Sequence, residues 1–283
     1  GDGVTIRNCK VHDIKNENTS GNANAHGISV YGLNSSKAIN NVTLDGNEVY
    51  NCKLGSSESV VLNGNVTNFS VVNNVVHDND NIGIDFIGYE GRGGDGEQDR
   101  ARNGVCTDNY VYNITGKNNP AYKGGASADG IYVDGGRDII IERNIVQNCD
   151  IGIAASSEHK NKSADNIIIR NNLVTDCLSY AGITFGGSSS KNGIAKNSKD
   201  IIQSIAKLGY FSLYLSLIIP YNKGVVHEVK TCVKILAIAN PVAPNSLSTQ
   251  LIKIPWTMGK ADELNIKNKI EIEIGRVSCR ERV

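Results

Sequence analysis

Net charge is missing from this chain. Its 29 Lys and Arg balance 29 Asp and Glu, so there is no strongly basic surface for nucleic acid or anionic lipid. Long apolar runs are missing as well: the longest, from Leu208 to Ile219, is short and broken by polar residues, which excludes a membrane-spanning helix there. Aromatics make up only 6% of the residues. The seven cysteines do not fall in zinc-type spacing. Gly1-Asp2-Gly3 has none of the organisation of a signal peptide, and the chain is expected to begin inside a larger protein. What is abundant is Asn and Gly, punctuating short β-branched runs. That pattern describes many short strands joined by tight turns.

One motif recurs six times: two alternating apolar positions, a polar pair ending in Asn, then Val two residues later. The copies are VTIRNCKV (4–11), VTLDGNEV (42–49), FSVVNNVV (69–76), GVCTDNYV (104–111), IIIERNIV (139–146) and IIIRNNLV (167–174). Cys9, Asn47, Asn74, Asn109, Asn144 and Asn172 share a column, at successive spacings of 38, 27, 35, 35 and 28 residues. Strands that keep register while loops vary are the mark of a coiled solenoid. A second strand follows in each coil: HGISVYG (26–32), ESVVLNG (58–64), IGIDFIG (82–88), DGIYVDG (129–135), IGIAASS (151–157) and AGITFGG (181–187). Ile6, Leu44, Val71, Cys106, Ile141 and Ile169 are predicted to form one inward column, and Val11 with Val49, Val76, Val111, Val146 and Val174 another. The Asn column is predicted to form a ladder along a turn, broken by Cys9.

Residues 4 to about 187 resemble the repeat region of the pectate-lyase-like superfamily, over about two-thirds of the chain. The resemblance implies an all-β fold, a right-handed parallel β-helix of six to seven coils, and a secreted or cell-surface protein acting on a polysaccharide. The same scaffold carries lyases, hydrolases, epimerases and binding domains, and no motif fixing one lyase family is present. NIGIDFIGYEG, DGIYVDGGRDIIIERN and SSEHK are also similar to bacterial secreted β-helix proteins.

Chemistry is expected on an outward sheet face bordered by long loops. Alternation sends Ile84 and Phe86 inward and Asp85 outward, with Tyr132 and Asp134 outward on the next coil and Asn63 and Tyr31 continuing the column toward the N-terminus. Loop 88–103 brings Glu90, Arg92 and Asp95, and Glu158, His159 and Lys160 enter one coil later. A uronic-acid lyase, the preferred expectation, needs a cation on the substrate carboxylate and a base. Asp85, Glu90, Asp95 and Asp134 are the candidate Ca2+ ligands, and Arg92, His159 or Lys160 the candidate base. An inverting glycosidase instead needs two carboxyls, and the backbones of Asp85 and Asp134 should stand roughly 8 Å apart. Tyr31, Asn63, Tyr132 and Glu158 are candidate substrate contacts in either case, and in the alternative of a non-catalytic adhesin. No organic cofactor is expected, the partner is an acidic or neutral polysaccharide, and the full-length protein is expected to be a monomer.

His12 and His77 share an outward column with Tyr50 and Tyr112, away from that groove, and His26 and Glu58 sit at equivalent positions on neighbouring coils as a local pair. Cys52, Cys149 and Cys177 are expected to point inward as small apolar groups, with a Cys149–Cys177 disulfide as the alternative in an oxidising compartment. The repeat fails after NGIAKNS (192–198), where Asn197 is placed in the Asn column and Lys199 at the inward Val position. The β-helix is therefore bounded at 1–198. Residues 199–272 are unassigned, either through a frameshift near Lys199 or as a small domain, and 273–283 resemble a translated sequencing adapter.

Overall fold

The computed structural model describes residues 1–16, 24–177, 179–186, 193–201 and 205–207, together with 233–236, 250–254 and 275–276. The chain divides into two units, Gly1–Pro220 and Tyr221–Val283. The first is a right-handed parallel β-helix with three sheets. Thr5–Arg7, Ile39–Asp45, Val66–Val72, Arg102–Thr107, Arg137–Glu142, Ser163–Arg170 and Ile194–Lys196 stack in sequence order as the first sheet, with Lys199–Ile201 also on Ser163–Arg170. Lys10–His12, Glu48–Tyr50, Val75–Asn79, Tyr110–Ile114, Ile145–Gln147, Leu173–Thr175 and Ile205–Lys207 form the second. The third contains Ile28–Gly32, Val60–Gly64, Ile84–Ile87, Asp129–Asp134, Ile151–Ser156 and Ile183–Phe185. In the second unit, Val233–Leu236, Gln250–Ile254 and Gly275–Arg276 form an antiparallel sheet.

Asn and Asp are abundant because the coil needs left-handed backbone at three points in each turn. One such column is Asn41, Asn68, Asn103, Asp138, Asn166 and Asn197; a second is Asn8, Asn73, Asp108, Arg143 and Asn171 with Gly46; the third is Asp13, Asn51, Asp78, Asn113, Asn148 and Asp176. Asn and Asp tolerate this region because their short polar side chains bond locally. Here they also bond between coils, as in Asn113 Nδ2 to Asp78 Oδ1 at 2.8 Å and Asn148 Nδ2 to Asn113 Oδ1 at 2.7 Å. Arg143 is the exception, and its guanidinium holds both carboxylate oxygens of Asp108 on the coil before it.

Both predicted inward columns are present in register. From Leu44 and Val49 onward their members are buried. Each fully buried aliphatic side chain contributes about 1.5–3 kcal/mol relative to exposure, so a column along the whole axis is a major source of cohesion. The Asn ladder is likewise formed. Asn109 is typical: Nδ2 donates to Val71 O at 2.9 Å and to Asn144 Oδ1 at 2.9 Å, while its own Oδ1 accepts from Asn74 N at 2.9 Å and Asn74 Nδ2 at 3.0 Å. Cys9 ends it, contributing only its amide to Asn47 Oδ1 at 3.1 Å.

The seventh coil corrects the predicted register. Ser163↔Ile194, Asp165↔Lys196 and Ile168↔Lys199 pair, so Asn197 lies opposite Asn166 and takes its left-handed turn, donating to Asp165 Oδ1 at 3.0 Å. A lone Asn in this sequence fits two kinds of turn, and only main-chain pairing distinguishes them. Pairing with the solenoid also continues past 198, through Val174↔Ala206. The remaining expectations for 199–272 and 273–283 fall mostly outside the described residues.

Candidate functional site

Register on the third sheet sets the outward columns. Ser29, Val61, Asp85, Tyr132, Ala154 and Thr184 form one, and Tyr31, Asn63, Ile87, Asp134 and Ser156 the next. Asp85 and Asp134 thus lie on adjacent strands two positions apart, as the alternation predicts. Tyr31 and Asn63 lead to Asp134 through Ile87, not to Asp85, so the single expected column is in fact two. At the strand entrances the same register aligns His26, Glu58, Ile82, Asp129 and Ile151.

These columns bring carboxyls together on a sheltered face. Asp85 is 2% exposed; burial, then the charges of Glu58 and Asp134, hold it well above the usual carboxylate range. Its Oδ1 has no hydrogen-bond partner among the described residues. Asp134 is also held high, by burial and then by Glu158. Unlike Asp85, it has a group that favours its charged form, the Glu158 amide, which donates to Oδ1 at 2.6 Å; His159 Nε2 stands 3.8 Å from Oδ2. Burial and Glu158 raise Asp129. Glu58 is pushed up to about 8 by burial, reinforced by Glu90 and Glu158. Burial lowers His26, which meets Tyr31 OH at 3.1 Å and Glu58 Oε2 at 3.6 Å. Tyr31 is pushed up to about 12, by burial and then Glu58.

Two loops wall the groove. In 88–103, the buried Asp99 carboxylate accepts from the amides of Gly91 and Gly93, both at 2.6 Å. Beneath it the buried Arg100 bonds Glu97 at 3.1 Å and lies 5.0 Å from the Tyr89 ring centroid. This pinned loop carries Glu90, whose Oε2 accepts from Asn63 Nδ2 at 2.7 Å, and Arg92, whose guanidinium lies 5.5 Å from the Tyr31 ring centroid. The second loop, residues 115–128, contains a 3-10 turn at Pro120–Tyr122 capped by Asn119, which also donates to Gly55 O at 2.7 Å and Asp80 O at 2.9 Å. Tyr122 is raised by burial and then by Asp129 and Glu58, which places it beside the carboxyls. Tyr132 OH meets Ser156 Oγ at 2.7 Å.

Of the residues singled out from sequence, Asp85, Asp134, Glu90, Arg92, Tyr31, Asn63, Tyr132, Glu158 and His159 are linked by these contacts and fields. Asp95 is not: it is exposed and lines a separate cavity of about 210 Å³ with Tyr89, Asp99 and Lys162. Lys160 is exposed and makes no ion pair with any described residue. Asp129 and Tyr122 belong to the cluster but were not singled out, and Glu58, expected only as the local partner of His26, belongs to it as well. Glu58 and Asp129 open the repeated signatures ESVVLNG and DGIYVDG at one column position, which is the signal that would have found them. Among the described residues, no three His, Cys, Asp or Glu side chains are placed to hold a metal ion.

No family model matches the chain. The uncharacterized protein YwoF of Bacillus subtilis (strain 168) is 47% identical over 195 residues, covering 69% of this chain and 40% of YwoF. The chain therefore spans well under two-thirds of that relative's length. Among solved structures, the crystal structure of pectate lyase Pel9A aligns with a TM-score of 0.33 at 18% identity, covering 60% of this chain and 38% of the other. The assignment of fold rests on the strand pairing above. No helix among the described residues is long and apolar enough to cross a membrane.

Proposed function

We propose that this groove cleaves an extracellular polysaccharide by inverting hydrolysis. Asp85 donates its proton to the glycosidic oxygen as the bond from that oxygen to the anomeric carbon breaks. Asp134 takes a proton from the water whose oxygen attacks the same carbon from the opposite face. The observation that carries this reading is the contrast between two neighbouring acids. Asp85 has an oxygen with no hydrogen-bond partner among the described residues and its charged neighbours are acidic, which favours its protonated form. Asp134 is also held high, but the Glu158 amide supports its charged form. That difference in hydrogen bonding is what assigns the acid and the base. Their backbone separation of roughly 8 Å suits the ~6.5–9.5 Å between carboxyls of inverting enzymes. Tyr31, Asn63 and Tyr132 line the path a sugar chain would follow.

The test incubates the purified chain with pectate, alginate, glycosaminoglycans and neutral glucans and mannans, with Ca2+ and with chelator. The expected result is new reducing ends of inverted anomeric configuration, insensitive to chelator and without ultraviolet-absorbing unsaturated uronates. Unsaturated products that vanish with chelator would overturn hydrolysis in favour of Ca2+-assisted elimination. Retention of glycan without turnover would leave a binding groove.

A further inference from the structure

At the turn that follows each second-sheet strand, a different column meets a second groove. This groove, of about 920 Å³, is lined by Asn51, Asn113, Asp150 and Asp176 among others, with Cys52 and Cys149 at its floor. Gln147 pairs with Thr175, and the chain continues in step, with Asn148 N donating to Thr175 O at 3.1 Å and Ser179 N to Asp150 O at 3.2 Å. Cys149 and Cys177 therefore occupy the same position on adjacent coils. Both are 4% exposed. Each thiol points the same way, toward the carbonyl two residues earlier, at 3.5 Å for Cys149 and 3.4 Å for Cys177. Adjacent parallel strands stand ~4.8 Å apart, inside the ~4.4–6.8 Å between Cα atoms that a disulfide spans.

We propose that Cys149 and Cys177 are a disulfide-forming pair that fastens the fifth coil to the sixth in an oxidising compartment. The thiolate of one cysteine attacks one sulfur of an external disulfide, such as oxidised glutathione, and releases one thiolate. The other cysteine, losing its proton to solvent in the groove that Cys149 lines, then attacks the protein-bound sulfur of the mixed disulfide and releases the second. The two cysteines are oxidised and the external disulfide becomes two thiols. Cys52 and Cys106 have no cysteine at the matching position of a neighbouring coil: Cys52 is followed by Asn79, and Cys106 lies between Val71 and Ile141.

The test uses the full chain, equilibrated with oxidised glutathione or with excess dithiothreitol, alkylated under denaturing conditions and mapped by peptide mass spectrometry. The oxidised sample is expected to give one cross-linked peptide joining Cys149 to Cys177, with Cys52 and Cys106 alkylated. Its melting temperature should exceed that of the reduced sample by about 5–10 °C. Cys177→Ser should abolish both the cross-link and the difference in melting temperature, while Cys52→Ser keeps both. Free Cys149 and Cys177 after oxidation, or a cross-link to Cys232, Cys279 or any other cysteine instead, would overturn the proposal. The mapping of the unmodified chain stands even if a serine variant fails to fold.

Discussion

Two sets of buried polar side chains run along this solenoid and have opposite character. In the Asn ladder, an amide both donates and accepts, so each member satisfies the next and the column is electrically neutral. In the third-sheet groove, Glu58, Asp85 and the pair Asp129 and Asp134 sit on three successive coils without that reciprocity. Carboxylates only accept, they repel one another, and Asp85 and Asp129 each have an oxygen without a partner. Buried polar groups stabilise when fully paired and cost free energy when not. The ladder is thus a structural device, while the groove holds unpaired acidity that a substrate would meet.

Removing the groove acids should affect activity most. Asp85→Asn and Asp134→Asn are each expected to lower kcat/KM by about 10²–10⁴ while leaving the melting temperature unchanged or raised. Full activity in either variant, measured by release of reducing ends, would break the contrast. The ladder should behave in the reverse sense. Asn109→Ala strands Val71 O and the amide groups of Asn74, and should cost about 2–4 kcal/mol in urea unfolding with any residual activity per folded molecule retained. A loss below about 0.5 kcal/mol would show that water replaces the ladder.

A smaller effect separates the two sets by pH. Glu58 is held at about 8 when folded, above the ~4.3 of an unfolded glutamate, so the folded state binds the proton more tightly. Its contribution to stability is present below about pH 4 and is lost as pH rises toward 8. The melting temperature should therefore fall from pH 5 to pH 8, and Glu58→Gln should flatten that slope and melt higher at pH 8. A slope unchanged by the substitution would mean that Glu58 is solvated. The neutral Asn ladder gives no such slope.

Much of this molecule was legible in the residues because a parallel solenoid repeats its environment at every coil. Ile141 must match Cys106 and Ile169, and Asn144 must match Asn109 and Asn172, so the columns are visible as sequence repeats before any pairing is known. Alternation by two equally placed Asp85 and Asp134 on one face. Asn197 was misplaced because Asn serves both the ladder and the left-handed turns, and short-range sequence does not separate these uses. The groove was less legible. Glu58 and Asp129 opened repeated signatures, yet the upward shift of each depends first on burial, which no repeat in the sequence displays. Asp95 and Asp99 look equivalent in the sequence and line the same small cavity, but the buried Asp99 binds two amides while Asp95 is exposed. Local and periodic constraints were therefore determined by the sequence itself. Which carboxyls meet, and that burial holds them above the usual carboxylate range, was decided only by tertiary packing, because desolvation and charge–charge interaction depend on distance in space rather than separation along the chain.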